Sequence, residues 1–364
     1  MDLIRHDPSM RRRSTTWLSA AVARGELLRL RRGIFVDAAA WQAAPPWIRH
    51  RAEVAAAGLA VPHALLCRES ALAVHGLPLL EVPREVQLRA TSPSRAGLSR
   101  GRPLGPAHPS QLSTANAPHQ LPTPTLTRPT RRLLPPVPRP LTAAEARQEY
   151  RSIRRTRQHL PVPGITVGGR PAVVGVEPLS FVLTDTVPRL SRAGAVVVLD
   201  AALAQRQTHR LSPQDELAQE EWLWSLPAQQ AWRWAADFAD GRSESPGESW
   251  SRLQIHELGF EEPHLQVEFQ LPQEIARVDF DWKGVFGEFD GRVKYDDAGA
   301  LSGLSDQQVY WNEKRREEQI EMVTGKRSVR WGWEDLRNPW MLEKKLLNRG
   351  VPRRSHRVSP ENSL

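Results

Sequence analysis

The stretch ARVDFDWKGVFGEFDGRVKY (276–295) leaves little choice of local structure. Apolar and polar residues alternate on both sides of Lys283-Gly284, a good two-residue turn, so the segment reads as a β-hairpin. A period of two puts Asp279 and Asp281 on one face of the first strand. It puts Glu288 and Asp290 on one face of the second, with Phe286 and Phe289 nearby to pack. Four carboxylates on a hydrophobic hairpin are costly unless solvated, paired or holding a cation. Upstream, SPGESWSRLQIHELGF predicts a helix. Ser245 and Glu248 have the spacing of a capping box, Pro246 suits the first turn and Gly259 is the stop signal. LQVEFQLP is a third alternating run between the helix and the hairpin. Strands that carry Asp, then Glu, then a basic residue suit metal-assisted phosphodiester cleavage. The carboxylates hold Mg²⁺, the metal activates water, and the cationic side chain steadies the phosphorane charge. Asp279 and Glu288 are the expected metal ligands.

This arrangement resembles the PD-(D/E)xK nuclease superfamily, and within it the very-short-patch-repair-like branch. The matching pieces are Glu248 on the leading helix, Asp279 in RVDFDW and Glu288-Phe289-Asp290-Gly291. The helical WNEKRREEQI and the strand-like VRWGWEDL follow in the family's order, so the likeness covers roughly the last third of the chain. It implies a restriction-endonuclease-like mixed sheet flanked by helices, with Glu248, Asp279, Glu288, Asp290 and Lys294 as the catalytic set. The position that the motif gives to lysine is Asp290 here; the basic role passes to Lys294, or to Lys314 or Arg315 on the next helix. Each residue also has a plainer role. Glu248 closes a capping box, Asp281 is a solvated residue flanking the turn, Asp290 precedes Gly291 as ordinary turn chemistry, and Lys294 is a surface lysine.

Near the N-terminus, Arg11, Arg12 and Arg13 precede the helical pattern STTWLSAAVARG, and ELLRLRRGIFVD follows as two short strands around Arg31-Arg32-Gly33. Helix, basic turn and basic hairpin is the order of a winged helix, in which the helix enters the major groove and the wing touches phosphate. The five arginines are the expected nucleic-acid contacts; the plain alternative is a solvated hairpin. LLRLRRGIFVD together with CRESALAVHGLPL is similar to the N-terminal half of the AbiEi-type antitoxins. That resemblance implies a winged helix joined to a second α/β domain, operon repression and a toxin-like protein partner.

Between Ser92 and Ala144 stand twelve prolines and no Asp or Glu. Such a segment cannot bury enough apolar surface to offset its ordering entropy, so 91–145 is expected to be a disordered insertion. The run AEARQEYRSIRRTRQH is expected to be a basic helix. Patterning of the globular kind returns over 146–242: a strand and a helix in PAVVGVEPLSFVLTDTV, a buried helix in AGAVVVLDAALAQ, and core residues Trp222, Leu223, Leu226, Trp232 and Trp234. Asp200, within VVVLDAAL, is expected to be a satisfied polar residue near a helix end.

The net charge of +9 favours a polyanionic partner, although nearly all of the 50 basic residues are arginine, as in a genome biased toward that codon family. A single cysteine, Cys67, excludes a disulfide framework. No apolar leader or membrane-length run is present, which predicts a cytoplasmic chain. No GxxxxGK[ST] loop, GxGxxG fingerprint, zinc-ligand spacing or hydrolase triad occurs. The expected fold is therefore α+β: a winged-helix region over 1–90, an insertion over 91–145, a helical α/β region over 146–242, a nuclease-like domain over 243–350 and a tail over 351–364. The expected function is Mg²⁺-dependent cleavage of DNA, with a non-catalytic DNA-binding regulator or antitoxin as the alternative.

Overall fold

The computed structural model describes residues 1–7, 9, 14–61, 63–90, 96–99, 130–134, 145, 148, 156–209, 225–291 and 306–354. Helices and strands mix throughout, and both sheets contain parallel and antiparallel pairs. The chain divides into two units. One is Met1–Leu190 with Leu211–Trp234, and the other is Ser191–Arg210 with Ala235–Leu364.

In the first unit, strand β1 (Asp2–Arg5) is followed by helix α1 (Thr15–Ala23), the hairpin β2 (Leu27–Arg31) and β3 (Ile34–Asp37), and helices α2 (Ala38–Ala43) and α3 (Pro46–Ala60). Then come β4 (Leu65–Leu66), α4 (Arg68–Val74), β5 (Glu85–Arg89), β6 (Gly97–Ser99), β7 (Thr130–Leu134), β8 (Gln158–Val167), β9 (Arg170–Val176) and α5 (Leu179–Thr186). Ser14 caps α1, and Leu18 and Ala21 pack onto Leu27 and Phe35 of the hairpin. The strands form one sheet in the order β2-β3-β1-β8-β9-β4-β5-β7-β6.

That sheet crosses the boundary which composition suggests at residue 90. β8 runs parallel to β1, and β9 pairs with both β8 and β4, so strands from residues 158–176 complete a sheet begun at residue 2. The expected 146–242 domain is accordingly split. Its strands belong to the first unit, whereas α6 (Arg192–His209) belongs to the second. The insertion also needs correction. β7 pairs in parallel register with β5 and buries Leu134, because alternating TRRLL supplies a strand between prolines. The rest of 91–145, apart from Ala96, β6 and Glu145, lies outside the described residues, as does most of the expected basic helix; Gln158 and His159 at its end begin β8. Trp232 is core, but Leu226 is exposed, and Trp222 and Leu223 are not among the described residues.

Helix α7 (Leu226–Phe238) belongs to the first unit as far as Trp234; the second unit resumes at Ala235 and continues with α8 (Pro246–Glu257), β10 (His264–Gln270), β11 (Ile275–Trp282), β12 (Val285–Asp290), α9 (Asp306–Thr324), β13 (Arg327–Gly332), α10 (Trp333–Arg337) and α11 (Pro339–Arg349). The sheet order is β10-β11-β12-β13, antiparallel except for the last pair. Lys283-Gly284 forms the expected turn, with Gly284 at φ +83°. The WEDL segment, expected to extend the last strand, is helical instead: the Asp335 carboxylate accepts from Gly332 N–H and starts α10. Two cores result. One gathers Phe280, Trp282, Trp331, Ile255, Leu336 and Leu342. The other gathers Leu271, Val278, Phe286 and Ile320. Val278 and Phe280, which strict alternation puts on one face, thus belong to different clusters. Asp279 stands between them.

Candidate metal and nucleic-acid site

Helix α8 presents the first carboxylate. Ser245 Oγ accepts from Glu248 N–H at 3.2 Å, as a cap should. The return half of the expected capping box shifts by one residue: Glu248 Oε2 accepts from Glu244 N–H at 2.9 Å. The helix start is held close to the sheet because residue 247 is glycine; a Cβ there would lie 1.9 Å from Phe289 Cε1. Ser251 Oγ donates to Gly247 O and accepts from the Trp331 indole, both at 2.7 Å, tying α8 to β13.

The strands supply the remainder. One residue beyond the Phe280–Gly287 pair, antiparallel register brings Asp279 level with Glu288, and Glu288 faces Arg330 in the parallel β12–β13 pair. Asp279 Oδ2 accepts from Phe289 N–H at 2.9 Å. Gln266 on β10 donates through Nε2 to Glu248 Oε2 at 2.8 Å and to Asp279 Oδ1 at 3.3 Å, so one amide joins the two carboxylates. Gln266 has φ +54°, in the left-handed region that side chains other than glycine rarely adopt. This strain lies level with the break in alternation at Asp279, which places it beside the polar cluster.

Burial raises the Glu248 carboxyl above its ordinary pKa, and the charge on Asp279 raises it further. Burial likewise raises Asp279. The neighbouring Glu288 adds to this, while hydrogen bonds from Phe289 and Gln266 oppose it. Glu288 is buried with both oxygens engaged: Oε1 pairs with Arg316 Nη2 and Oε2 with Arg330 Nη2. Arg330 also approaches Glu317 at 3.3 Å and Glu313 at 3.6 Å. Burial works to lower the Arg330 pKa, but Glu288 and the two further glutamates outweigh it, and the net direction is upward.

The expected catalytic residues therefore fare differently. Glu248, Asp279 and Glu288 are brought together. Asp290 is exposed at the end of β12. Lys294 lies outside the described residues. Lys314 is half-exposed, 4.0 Å from Glu318, and Arg315 is exposed. The cations at the carboxylates are Arg316 and Arg330, which inspection of the sequence missed. The available signal was helical spacing: Glu313, Arg316, Glu317 and Ile320 share one face of α9, and Ile320 is fully buried. Asp281, expected to be solvated, is buried and paired with Lys326. Asp200 is satisfied, by Arg252 and by Asp240 N–H.

In the first unit, Arg11, Arg12 and Arg13 lie outside the described residues. Arg31, expected at phosphate, turns inward instead: its Nη1 donates to Glu53 Oε2 at 2.5 Å and to Leu30 O at 2.8 Å, and both side chains are buried. A bulge between Arg29 and Arg31 reverses the side-chain direction that simple alternation would give. Arg32 is exposed at the hairpin tip. With Arg29, His6 and Thr15 it borders a cavity of about 400 Å³ floored by Leu18 and Phe35.

Among the described residues, no three His, Cys, Asp or Glu side chains converge as a ready metal site, and no helix is long and apolar enough to cross a membrane. No family model, curated protein or solved structure matches the chain.

Proposed function

We propose that the second unit is a Mg²⁺-dependent nuclease acting on DNA phosphodiester bonds, with the first unit contributing DNA affinity. One observation carries the reading: two carboxylates, the buried Glu248 and the half-buried Asp279, share one amide donor and are both held above their ordinary pKa, beside two guanidiniums. Buried acids that repel each other are relieved by a hard cation, and Mg²⁺ is commonly held by only one or two carboxylates, completed by water and substrate phosphate. The donor set therefore fits Mg²⁺. An ion bound there would supply a nucleophilic water and neutralise phosphate charge. Glu248 and Asp279 would hold it, Gln266 orients their oxygens, and Arg316 and Arg330 offer planar donors to the non-bridging phosphoryl oxygens, where charge develops. Arg29 and Arg32 on the β2–β3 hairpin supply phosphate contacts away from the reacting bond.

The test is nicking of supercoiled and linear DNA, double-stranded, single-stranded and mismatched, with Mg²⁺ or Mn²⁺ against EDTA. Asp279→Asn and Glu248→Gln abolish cleavage and leave DNA binding in place. Absence of metal-dependent cleavage on every substrate refutes the enzymatic reading, and cleavage that survives both substitutions refutes the site.

A second reading is favoured by the state of Glu288. With both of its oxygens in ion pairs, the cluster is also what a non-catalytic DNA-binding regulator would retain, as in an antitoxin with a toxin-like protein partner. That reading expects full DNA binding and no cleavage.

A further inference from the structure

We propose that Arg316 and Arg330 form a phosphate receptor held by Glu288, and that phosphate and divalent cation enter together, the phosphate drawing the guanidiniums off Glu288 and releasing that carboxylate to the cation. The inference rests on the metal-dependent reading of the site and adds its regulation.

Both oxygens of Glu288 are taken, one by an arginine of helix α9 and the other by an arginine of strand β13. A cation arriving alone therefore meets only Glu248 and Asp279. The arginines are more open than the acid they hold: the side chains of Arg316 and Arg330 are 29% and 32% exposed, that of Glu288 10%. A phosphate approaching from solvent reaches the guanidiniums first, and their planar forks match its oxygens. Each arginine also keeps a second anchor when it lets go. Arg316 Nη1 donates to Arg277 O at 3.0 Å, and Arg330 stays beside Glu317 and Glu313. The guanidiniums thus remain aimed at the site.

Charge makes the two ligands depend on each other. Five carboxylates (Glu248, Asp279, Glu288, Glu313 and Glu317) surround two guanidiniums in this cluster. Phosphate alone adds negative charge to a site already rich in it, while a cation alone reaches two carboxylates and not Glu288. Each ligand supplies what the other needs, which by linkage requires that each tighten the other by the same factor. Direct ligation of the cation by phosphate would couple the two ligands even with Glu288 clamped, so the arginine variants, in which Glu288 is free from the start, separate release of Glu288 from simple ligation.

Calorimetric titration of the full chain with Ca²⁺, with and without a saturating short DNA duplex, measures this directly and needs no variant. The expected result is tighter Ca²⁺ binding with duplex, by a factor in the range of roughly 5–150, and equal tightening of duplex by Ca²⁺. The double variant Arg316→Gln/Arg330→Gln should bind Ca²⁺ tightly without duplex and lose the coupling. Glu288→Gln should bind duplex well without Ca²⁺. Equal Ca²⁺ affinity with and without duplex overturns the proposal while leaving the metal site standing. Weaker Ca²⁺ binding by the double variant, confirmed folded by its circular dichroism, also overturns it. No Ca²⁺ binding under any condition removes the metal-dependent reading and the proposal with it.

Discussion

Removal of Arg252 from α8 isolates what holds the candidate catalytic helix in place. Arg252 is buried. Its Nη2 donates to Asp200 Oδ1 at 2.9 Å and Oδ2 at 3.0 Å, its Nη1 donates to Phe238 O at 2.7 Å, and its guanidinium lies 4.3 Å from the Phe238 ring centroid. Asp200 on α6 is fully buried; Asp240 N–H also donates to it, at 2.7 Å, and the Ser249 side chain is a further hydrogen-bond partner. Arg252→Met keeps most of the side-chain volume and leaves Asp200 charged and buried without its guanidinium partner. Deleting one partner of a buried pair costs about 3–5 kcal/mol, whereas replacing both by apolar groups is often near neutral. The single variant should therefore lose about 3–5 kcal/mol at neutral pH, and Asp200→Leu/Arg252→Met should recover most of it. Burial already raises the Asp200 carboxyl, and Arg252 is the chief influence opposing that shift. Without Arg252 the shift grows. A raised folded pKa means stability that is present at low pH and lost as pH rises, so the penalty of the single variant should shrink on acidification. Urea unfolding of the four cycle members, followed by tryptophan fluorescence at neutral and mildly acidic pH, reads both effects. A cost under about 1 kcal/mol, or a double variant no better than the single one, would refute the account, since either contradicts the expected cost of a stranded buried charge.

Four further outcomes are expected. Gly247→Ala should destabilise the chain by about 1–3 kcal/mol despite the better helix propensity of alanine, because the new Cβ meets the Phe289 ring; an unchanged melting temperature contradicts this. His50, whose buried Nε2 has no partner among the described residues, is held neutral with a pKa of about 4, chiefly by burial and secondarily by Arg51. Its contribution is complete above its unfolded pKa near 6.5 and is lost as pH falls toward 4, about 2–4 kcal/mol in all; His50→Leu should remove that part of the pH dependence, measured as unfolding free energy against pH. Arg31→Ala should lower stability by about 3–5 kcal/mol, while Arg29→Ala/Arg32→Ala should instead flatten the salt dependence of DNA binding by about one logarithmic unit per lost phosphate contact; a thermal melt and a salt titration separate the two classes. Because Glu248 and Asp279 are held above their ordinary pKa, Ca²⁺ affinity should fall on acidification before exposed carboxylates titrate; pH-independent affinity across that range would exclude these ligands.

The sequence by itself determined the local structure of the second unit. Ser245, Pro246 and Gly259 specify where α8 begins and ends, and Lys283-Gly284 specifies the hairpin, because caps and tight turns depend on backbone demands that a few residues meet. With the hairpin comes the proximity of Asp279 and Glu288, since antiparallel register follows from the turn. Only the tertiary structure decided what those carboxylates touch. Arg316 lies 28 residues from Glu288 in sequence and Arg330 lies 42; helical spacing sets Arg316 on the face of buried Ile320, away from exposed Arg315, but no local pattern says that either arginine reaches Glu288. The bulge that turns Arg31 to Glu53 and the left-handed Gln266 that links Glu248 to Asp279 are likewise set by packing, against any intrinsic preference of those residues. The same holds for the first unit's sheet, whose strands at 2–5 and 158–167 pair across most of that unit. Such long-range pairing is fixed by which apolar faces can be buried together, and that is a property of the folded chain.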